Sequence, residues 1–124
     1  MKLVVAEKPS VARDIARVLK CTKKGEGYLF SDEYVVSWAV GHLITLKEPQ
    51  EIDEKYKRWS LDTLPIIPKN IDYKIISSTR SQFEVLKKLM LSEKIDSIVC
   101  ATDAGREGEL IFRLVYNQCR CEKP

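Results

Sequence analysis

One short stretch of this sequence, residues 96–109 (DSIVCATDAGREGE), concentrates side chains that could bind a metal ion or transfer a proton. It carries the acids Asp103, Glu107 and Glu109, with Arg106 among them. Carboxylates held within a few ångströms of one another raise each other's pKa unless a cation neutralises them. A hard divalent ion relieves that repulsion, and Mg²⁺ needs only one or two carboxylates together with water and phosphate. The alternative is a helix start, where acids favour the helix dipole and pair with Arg106.

The elements that flank these acids are predicted to be a strand and a helix. Residues 98–101 form a short, partly β-branched apolar run, which favours a buried strand. Apolar residues between positions 110 and 115 then recur at helical spacing. Asp103 would therefore lie at the carboxyl end of a strand, which is the edge where open α/β sheets bind ligands.

The beginning of the chain repeats this arrangement. An apolar run at residues 3–6 stops at Glu7, and the pattern of residues 11–19 predicts an amphipathic helix with Ser10 as its N-cap. Glu7 thus has the same topological position as Asp103. Because parallel strands end at a common edge, we expect the two acids to face one crevice. The alternative is an acid that only pairs with the adjacent lysine.

A β-hairpin is predicted next. Residues 23–27 are expected to be a turn, and two strand-like stretches follow at residues 28–31 and 34–40. The second stretch closes at His42, the one histidine of the sequence. A lone histidine is more often a structural hydrogen-bonding residue than a catalyst.

An irregular excursion without periodicity follows at residues 47–70. It contains basic residues interleaved with aromatic residues at positions 55–59, a composition typical of channels for single-stranded nucleic acid. Arg58 and Trp59 are therefore candidate nucleic-acid contacts. The alternative is a surface loop that Trp59 anchors to the core through its apolar area.

The remaining elements complete an α/β pattern. A strand is predicted at residues 71–77, and a helix follows with apolar residues at positions 83, 86, 89 and 90. The order of elements predicts an α/β fold with a mainly parallel central sheet flanked by helices, interrupted by the hairpin and the excursion.

Composition narrows the class of protein. The chain of 124 residues, 44% hydrophobic and 31% charged, is typical of one soluble domain. No apolar run approaches the ~20 residues of a membrane span, and the first one is too short for a signal peptide, so we expect a cytoplasmic protein. A net charge of +3 permits nucleic-acid binding without arguing for it. Four cysteines without a C-x-x-C pair favour reduced thiols over a zinc site.

Four motifs together resemble a known family. They are AEKPS at residues 6–10, GHL at 41–43, RWSLDTLP at 58–65 and ATDAGREGE at 101–109. In this order they resemble the N-terminal Toprim domain of bacterial DNA topoisomerase III, a type IA topoisomerase. The resemblance spans nearly all of the chain.

The resemblance implies a Rossmann-like Toprim fold and a Mg²⁺ site. The family has one glutamate after the first strand and a D-x-D-x-E signature after a later one. Glu7 matches the first, and Asp103 and Glu107 match the outer acids of the signature, so these three are the expected metal ligands. Gly105 stands where the middle acid belongs, which implies weaker or more hydrated metal binding.

The resemblance also implies an activity. In the family, a tyrosine on a later domain cleaves and reseals single-stranded DNA, Glu7 would act as acid and base, and Lys8 would stabilise charge on the scissile phosphate. Arg106, like Arg58 and Trp59, is an expected DNA contact. Mg²⁺ is the expected cofactor, without a small-molecule cofactor. The expected partners are single-stranded DNA and the remaining domains of the same polypeptide, with no membrane.

Residues 1–124 would then be one Toprim domain cut from a larger enzyme, inactive alone, with the last strand of its sheet beyond residue 124. Two alternatives stay open. The chain could serve only as a metal- and DNA-docking module, or it could belong to another Toprim enzyme such as a primase or a nuclease. The segments at residues 41–43 and 58–65 argue against the latter, because the shared Toprim core does not require them.

Overall fold

The computed structural model describes residues 1–58, 60–67 and 71–124, with the backbone alone at residue 56. In chain order its strands are β1 (Lys2–Ala6), β2 (Lys23–Gly25), β3 (Tyr28–Phe30), β4 (Tyr34–Trp38), β5 (Ile44–Leu46), β6 (Tyr73–Ile75) and β7 (Ser97–Ala101). The α-helices are α1 (Pro9–Val18), α2 (Pro49–Ile52), α3 (Arg80–Met90) and α4 (Arg106–Gln118). Short 3-10 helices span Glu54–Lys57 and Ser77–Thr79.

The central sheet has five strands in the order β2-β3-β4-β1-β7. The three strands β4, β1 and β7 are parallel, whereas β2 and β3 extend the sheet in antiparallel fashion. The predicted α/β class is confirmed, with a mixed sheet flanked by helices.

The first strand is buried on both faces of the sheet, which explains its uninterrupted apolar sequence. Its side chains alternate, so that Leu3 and Val5 belong to one core and Val4 and Ala6 to the other. The first core also receives α3 and α4, and the second receives α1. The buried apolar side chains of these helices are Phe83, Leu86 and Met90 of α3, Ile111, Phe112 and Val115 of α4, and Ala12 and Ala16 of α1.

Two strands were not predicted from sequence. Residues 23–25, expected in a turn, form β2, and the turn shrinks to the two residues before β3. Gly27 takes a positive φ of 85° there, which suits glycine. The other unpredicted strand is β5, which pairs with β6 in a separate two-stranded antiparallel sheet. The strand predicted at residues 71–77 therefore exists, but it lies outside the central sheet.

The start of α1 also differs from the expectation. Ser10 is not the N-cap, because the helix begins at Pro9 and the cap position is Lys8. Proline is favoured at the first helical position, where its missing N–H removes no hydrogen bond. Val18, expected on the apolar face, is 77% exposed. The other apolar residues of the predicted face, Val11, Ile15 and Leu19, pack partly buried against the same core as Ala12 and Ala16.

The strand that precedes the acidic stretch is an edge strand rather than a buried one. Among the described residues its sole strand partner is β1, and Val99 and Cys100 are exposed. The backbone N–H of Ile98 donates to the carbonyl of Pro124 at 2.7 Å.

Helix α3 is tied to the end of β4 by one side chain. The amide of Gln82 donates to the carbonyl of Trp38 at 2.7 Å and to Ser37 Oγ at 3.2 Å, and Ser37 is completely buried. The predicted apolar face of this helix is confirmed. Within the described part of the chain, none of the helices has both the length and the apolar character needed to cross a membrane.

Candidate active site at the carboxyl edge of the sheet

Three neighbouring parallel strands deliver chemistry-bearing residues to one edge of the central sheet. Ala6, the last residue of β1, lies opposite Trp38 of β4 on one side and Ala101 of β7 on the other. Glu7 therefore leaves the sheet beside Asp103, and both precede the N-terminus of a helix. Acids about a hundred positions apart in sequence meet here because the two strands are hydrogen-bonded in parallel register.

The carboxyl groups of Glu7 and Asp103 interact directly. Partial burial, the negative charge of Asp103, a hydrogen bond to the Asp103 side chain and the charge of Glu107 together raise the pKa of Glu7 above its ordinary value. The ammonium group of Lys8 acts in the opposite direction. A cation bound between the two acids would oppose this rise in the pKa of Glu7.

Helix α4 approaches this pair so closely that only glycine fits at one position. A Cβ atom added to Gly108 would lie 2.3 Å from the backbone oxygen of Asp103 and 3.1 Å from Glu7 Oε1. Gly108 is itself buried. This contact fixes the first turn of α4 against the Asp103 turn and the Glu7 carboxylate at once.

Glu107 lies on that first turn and bonds to a residue that follows β4. His42 Nε2 is 3.3 Å from Glu107 Oε1. A carboxylate only accepts hydrogen bonds, so the imidazole carries its proton on Nε2 in this contact. The site predicted from the sequence did not include His42, whose contact with Glu107 appears only in the structure. Its signal in the sequence is its place shortly after β4 (Tyr34–Trp38), which becomes informative only when that strand is known to lie beside β1.

The acid Glu109 does not join the cluster. Its Oε1 accepts a hydrogen bond at 2.8 Å from the Nε of Arg113, one turn further along the same helix. Of the three acids in this stretch, Asp103 and Glu107 are therefore the two whose charges act on Glu7. Arg106 is exposed at the start of α4 and, among the described residues, pairs with neither of them.

Gly105, where the family pattern has an acid, occupies the N-cap of α4. Its φ of −177° is extended backbone that any residue adopts, and a Cβ atom there would meet nothing within 4 Å. A larger side chain therefore fits at this position without strain. No side chain caps the helix.

The other predicted site residues are exposed or lie outside the described residues. Lys8 is exposed at the N-cap of α1, close enough to Glu7 for its charge to oppose the rise in that carboxyl's pKa. Arg58 is exposed and follows the 3-10 helix Glu54–Lys57 in extended conformation. Trp59 lies outside the described residues.

The donor set fits a hard cation. Glu7 and Asp103 provide two adjacent carboxyl groups, which is the complement that Mg²⁺ uses together with water and phosphate. In the described ranges, no three acidic, histidine or cysteine side chains are already gathered as a metal-binding group. Two carboxylates are a number with which Mg²⁺ in proteins usually keeps several waters.

Known DNA topoisomerases resemble this chain in sequence and in fold. The chain is 52% identical over 122 residues to DNA topoisomerase 3 of Bacillus thuringiensis (strain Al Hakam) and 48% identical to that of Bacillus subtilis (strain 168). These matches cover 98% of the chain and 17% of the length of each relative. A full-length topoisomerase I from Thermotoga maritima shares the fold, with a TM-score of 0.60 and 23% identity over 96% of this chain and 16% of its own.

The family comparison is equally extensive. The model of the Toprim domain matches residues 2–124, which includes all three strand ends and the first turn of α4. The match and the carboxylate pair on adjacent parallel strands lead to one conclusion: the chain belongs to the Toprim domain family.

Proposed function

We propose that this chain is the Mg²⁺-binding acid–base portion of a type IA DNA topoisomerase, which cleaves and reseals single-stranded DNA through a tyrosine outside these 124 residues. The observation that carries the proposal is the direct contact of the Glu7 and Asp103 carboxyl groups at the ends of neighbouring parallel strands. The similarity to DNA topoisomerase 3 over 98% of the chain supports this enzyme class over a primase or nuclease.

Glu7 is the proposed general acid and base. Its pKa is raised by burial and by Asp103, so it retains a proton at a higher pH than a free glutamate does. In the proposed reaction it protonates the 3′-oxygen that leaves during cleavage and removes that proton during resealing. Partial exposure at the sheet edge leaves the carboxyl group accessible to a DNA strand.

Glu7, Asp103 and Glu107 are the residues that would hold Mg²⁺. When bound, the ion would supply positive charge against the DNA phosphates and hold the backbone for resealing. The carboxylates of Glu7 and Asp103 would offset part of the positive charge of the ion. Gly105 supplies no carboxylate, so we expect fewer protein ligands and more water than in members with a middle acid.

Three basic residues and one tryptophan are the proposed DNA contacts. The ammonium group of Lys8 lies next to the acid pair and would stabilise negative charge on the scissile phosphate. Arg106, at the start of α4, and Arg58, within the excursion, are exposed and would bind the DNA backbone. Trp59 is proposed to stack on a base.

The chain is proposed to work as one domain of a larger enzyme. It spans 17% of the length of the DNA topoisomerase 3 relatives. The outer edge of β7 is covered at Ile98 by the carbonyl of Pro124, whereas Val99 and Cys100 remain exposed. We propose that a further strand adds to this edge in the whole protein, because an exposed strand edge pairs readily with another segment.

The test uses the whole enzyme that contains this segment. Glu7→Gln removes a proton donor while retaining the shape of the side chain, so cleavage of single-stranded DNA is expected to fall by about 10²–10⁴-fold. DNA binding, measured by fluorescence anisotropy, is expected to change little. The matched control is Glu109→Gln, because that glutamate lies on the same edge but bonds to Arg113.

Two further outcomes bear on the proposal. The 124-residue chain alone is expected not to cleave DNA, since the nucleophile lies elsewhere. Cleavage by the Glu7→Gln enzyme at the rate of the Glu109→Gln control would show that Glu7 is not the acid.

A further inference from the structure

The contact between His42 and Glu107 is the hydrogen bond that joins the segment after β4 to helix α4 at the candidate site. The Nε2–Oε1 distance is 3.3 Å, and the side chains are 41% and 78% exposed. A hydrogen-bonded pair this exposed contributes little to the stability of the fold. Its effect is therefore on the position of the Glu107 carboxylate rather than on folding.

The imidazole is held by a rigid segment. Leu43 and Ile44, directly after it, are 1% and 2% exposed. The carbonyl of Leu43 accepts a hydrogen bond from the backbone of Ile76 at 2.8 Å, and the N–H of Ala39 donates to the carbonyl of Ala6 at 2.9 Å. The backbone on both sides of His42 is thus tied to the sheet and to the first core.

The carboxylate partner is held equally firmly at its base. Glu107 precedes Gly108, whose contact with the Asp103 turn and with Glu7 Oε1 sets the position of the first helical turn. The side chain of Glu107 then has several rotatable bonds, and its single described hydrogen bond is the one to His42. The hydrogen bond from His42 Nε2–H to Glu107 Oε1 therefore joins two backbone segments that are each anchored by packing or hydrogen bonds.

We infer that His42 is a positioning residue, which holds the Glu107 carboxylate toward the Glu7–Asp103 pair by donating its Nε2–H. The inference rests on the proposed function for its consequence, since a pre-oriented third carboxylate strengthens cation binding at this edge. Residues that hydrogen-bond a metal ligand without touching the metal commonly alter metal affinity by about 10–100-fold. Because this pair is exposed, we expect the lower end of that range.

The first experiment examines this chain without metal. Long-range ¹H–¹⁵N NMR spectra are expected to show the proton of His42 on Nε2. The side-chain couplings and carboxyl ¹³C shift of Glu107 are expected to change in His42→Ala and to be largely restored in His42→Gln, whose amide also donates. The control is Arg113→Ala, which frees the neighbouring Glu109 instead. Identical Glu107 signals in the native chain and His42→Ala would overturn the inference.

The second experiment titrates the same variants with Mg²⁺ alone and follows the amide signals of Glu7 and Asp103. His42→Ala is expected to weaken binding about tenfold, and His42→Gln to recover most of the loss. Equal affinity of the native chain and His42→Ala would also overturn the inference. Absence of Mg²⁺ binding in the native chain would instead contradict the metal part of the proposed function, and the metal-free comparison would still decide the role of His42.

Discussion

At the scale of single residues, the chemistry of the site depends on how two carboxyl groups share a small space. Glu7 and Asp103 are close enough to hydrogen-bond, and this closeness, together with burial, favours the protonated form of Glu7. Two adjacent charged carboxylates attract a cation, but they repel each other when no cation is bound. Proton binding and Mg²⁺ binding at Glu7 are therefore expected to compete.

The titration of Glu7 tests this competition. Its midpoint, followed by the carboxyl ¹³C shift, is expected above the ordinary value of 4.5. Asp103→Asn should lower the midpoint without abolishing the shift, because burial is the largest cause and remains. Added Mg²⁺ should lower the midpoint of the native chain. A native midpoint at or below 4.5 would contradict the carboxyl pairing.

The sign of the effect on stability follows from the same shift. The folded state binds the Glu7 proton more tightly than the unfolded state does. Proton binding at Glu7 therefore stabilises the folded state below the unfolded pKa, and this stabilisation is lost as pH rises through the folded pKa. Urea unfolding should therefore show Glu7→Gln gaining stability relative to the native chain between pH 4 and pH 7.

Gly105 gives a second residue-scale prediction. Gly105→Asp adds a carboxylate in open space, and we expect it to tighten Mg²⁺ binding by roughly tenfold (about 1.4 kcal/mol), within the range for opposite charges near a protein surface. Aspartate also caps helices, so a gain in stability alone proves nothing about metal. The control is Gly105→Asn, which caps the helix without adding charge.

The comparison of these two variants separates the two effects. Both should raise the melting temperature slightly, but only the aspartate variant should shift the Mg²⁺ titration. Equal titrations for the two would mean that a side chain at position 105 does not reach the ion.

At the scale of elements, the site depends on how closely α4 packs against the end of β7. The distance is set by Gly108, which leaves no room for a Cβ atom between the helix and the Asp103 backbone. The helix N-terminus is thereby held beside two carboxyl groups, an arrangement that its dipole favours. From the sequence, a glycine in a helical segment predicts only a lower helix propensity. The close approach of Gly108 to the Asp103 backbone, which requires this glycine, is visible only in the structure.

Substitution of this glycine is expected to disturb both fold and site. Gly108→Ala should lower the free energy of unfolding by about 1–3 kcal/mol, because the added methyl group forces α4 away from a backbone oxygen. The amide signals of Glu7 and Asp103 should move in the NMR spectrum. Gly105→Ser, three residues earlier in open space, is the control and should leave stability unchanged or slightly higher. A stable Gly108→Ala variant with unmoved signals would refute this packing.

At the scale of the whole molecule, the sequence alone determined the strand-end positions of Glu7 and Asp103 and the α/β class. It did so because short apolar runs followed by helical periodicity are local patterns, and a parallel sheet brings such strand ends to one edge. The apolar face of α3 was also predictable for this reason. The tertiary structure alone decided which residues complete the site. The tertiary structure placed β4 beside β1, so that His42 reaches Glu107. It also paired β5 with β6 away from the central sheet and left β7 at the sheet edge. Strand neighbours and side-chain partners far apart in sequence follow from packing and register, and no local pattern encodes these.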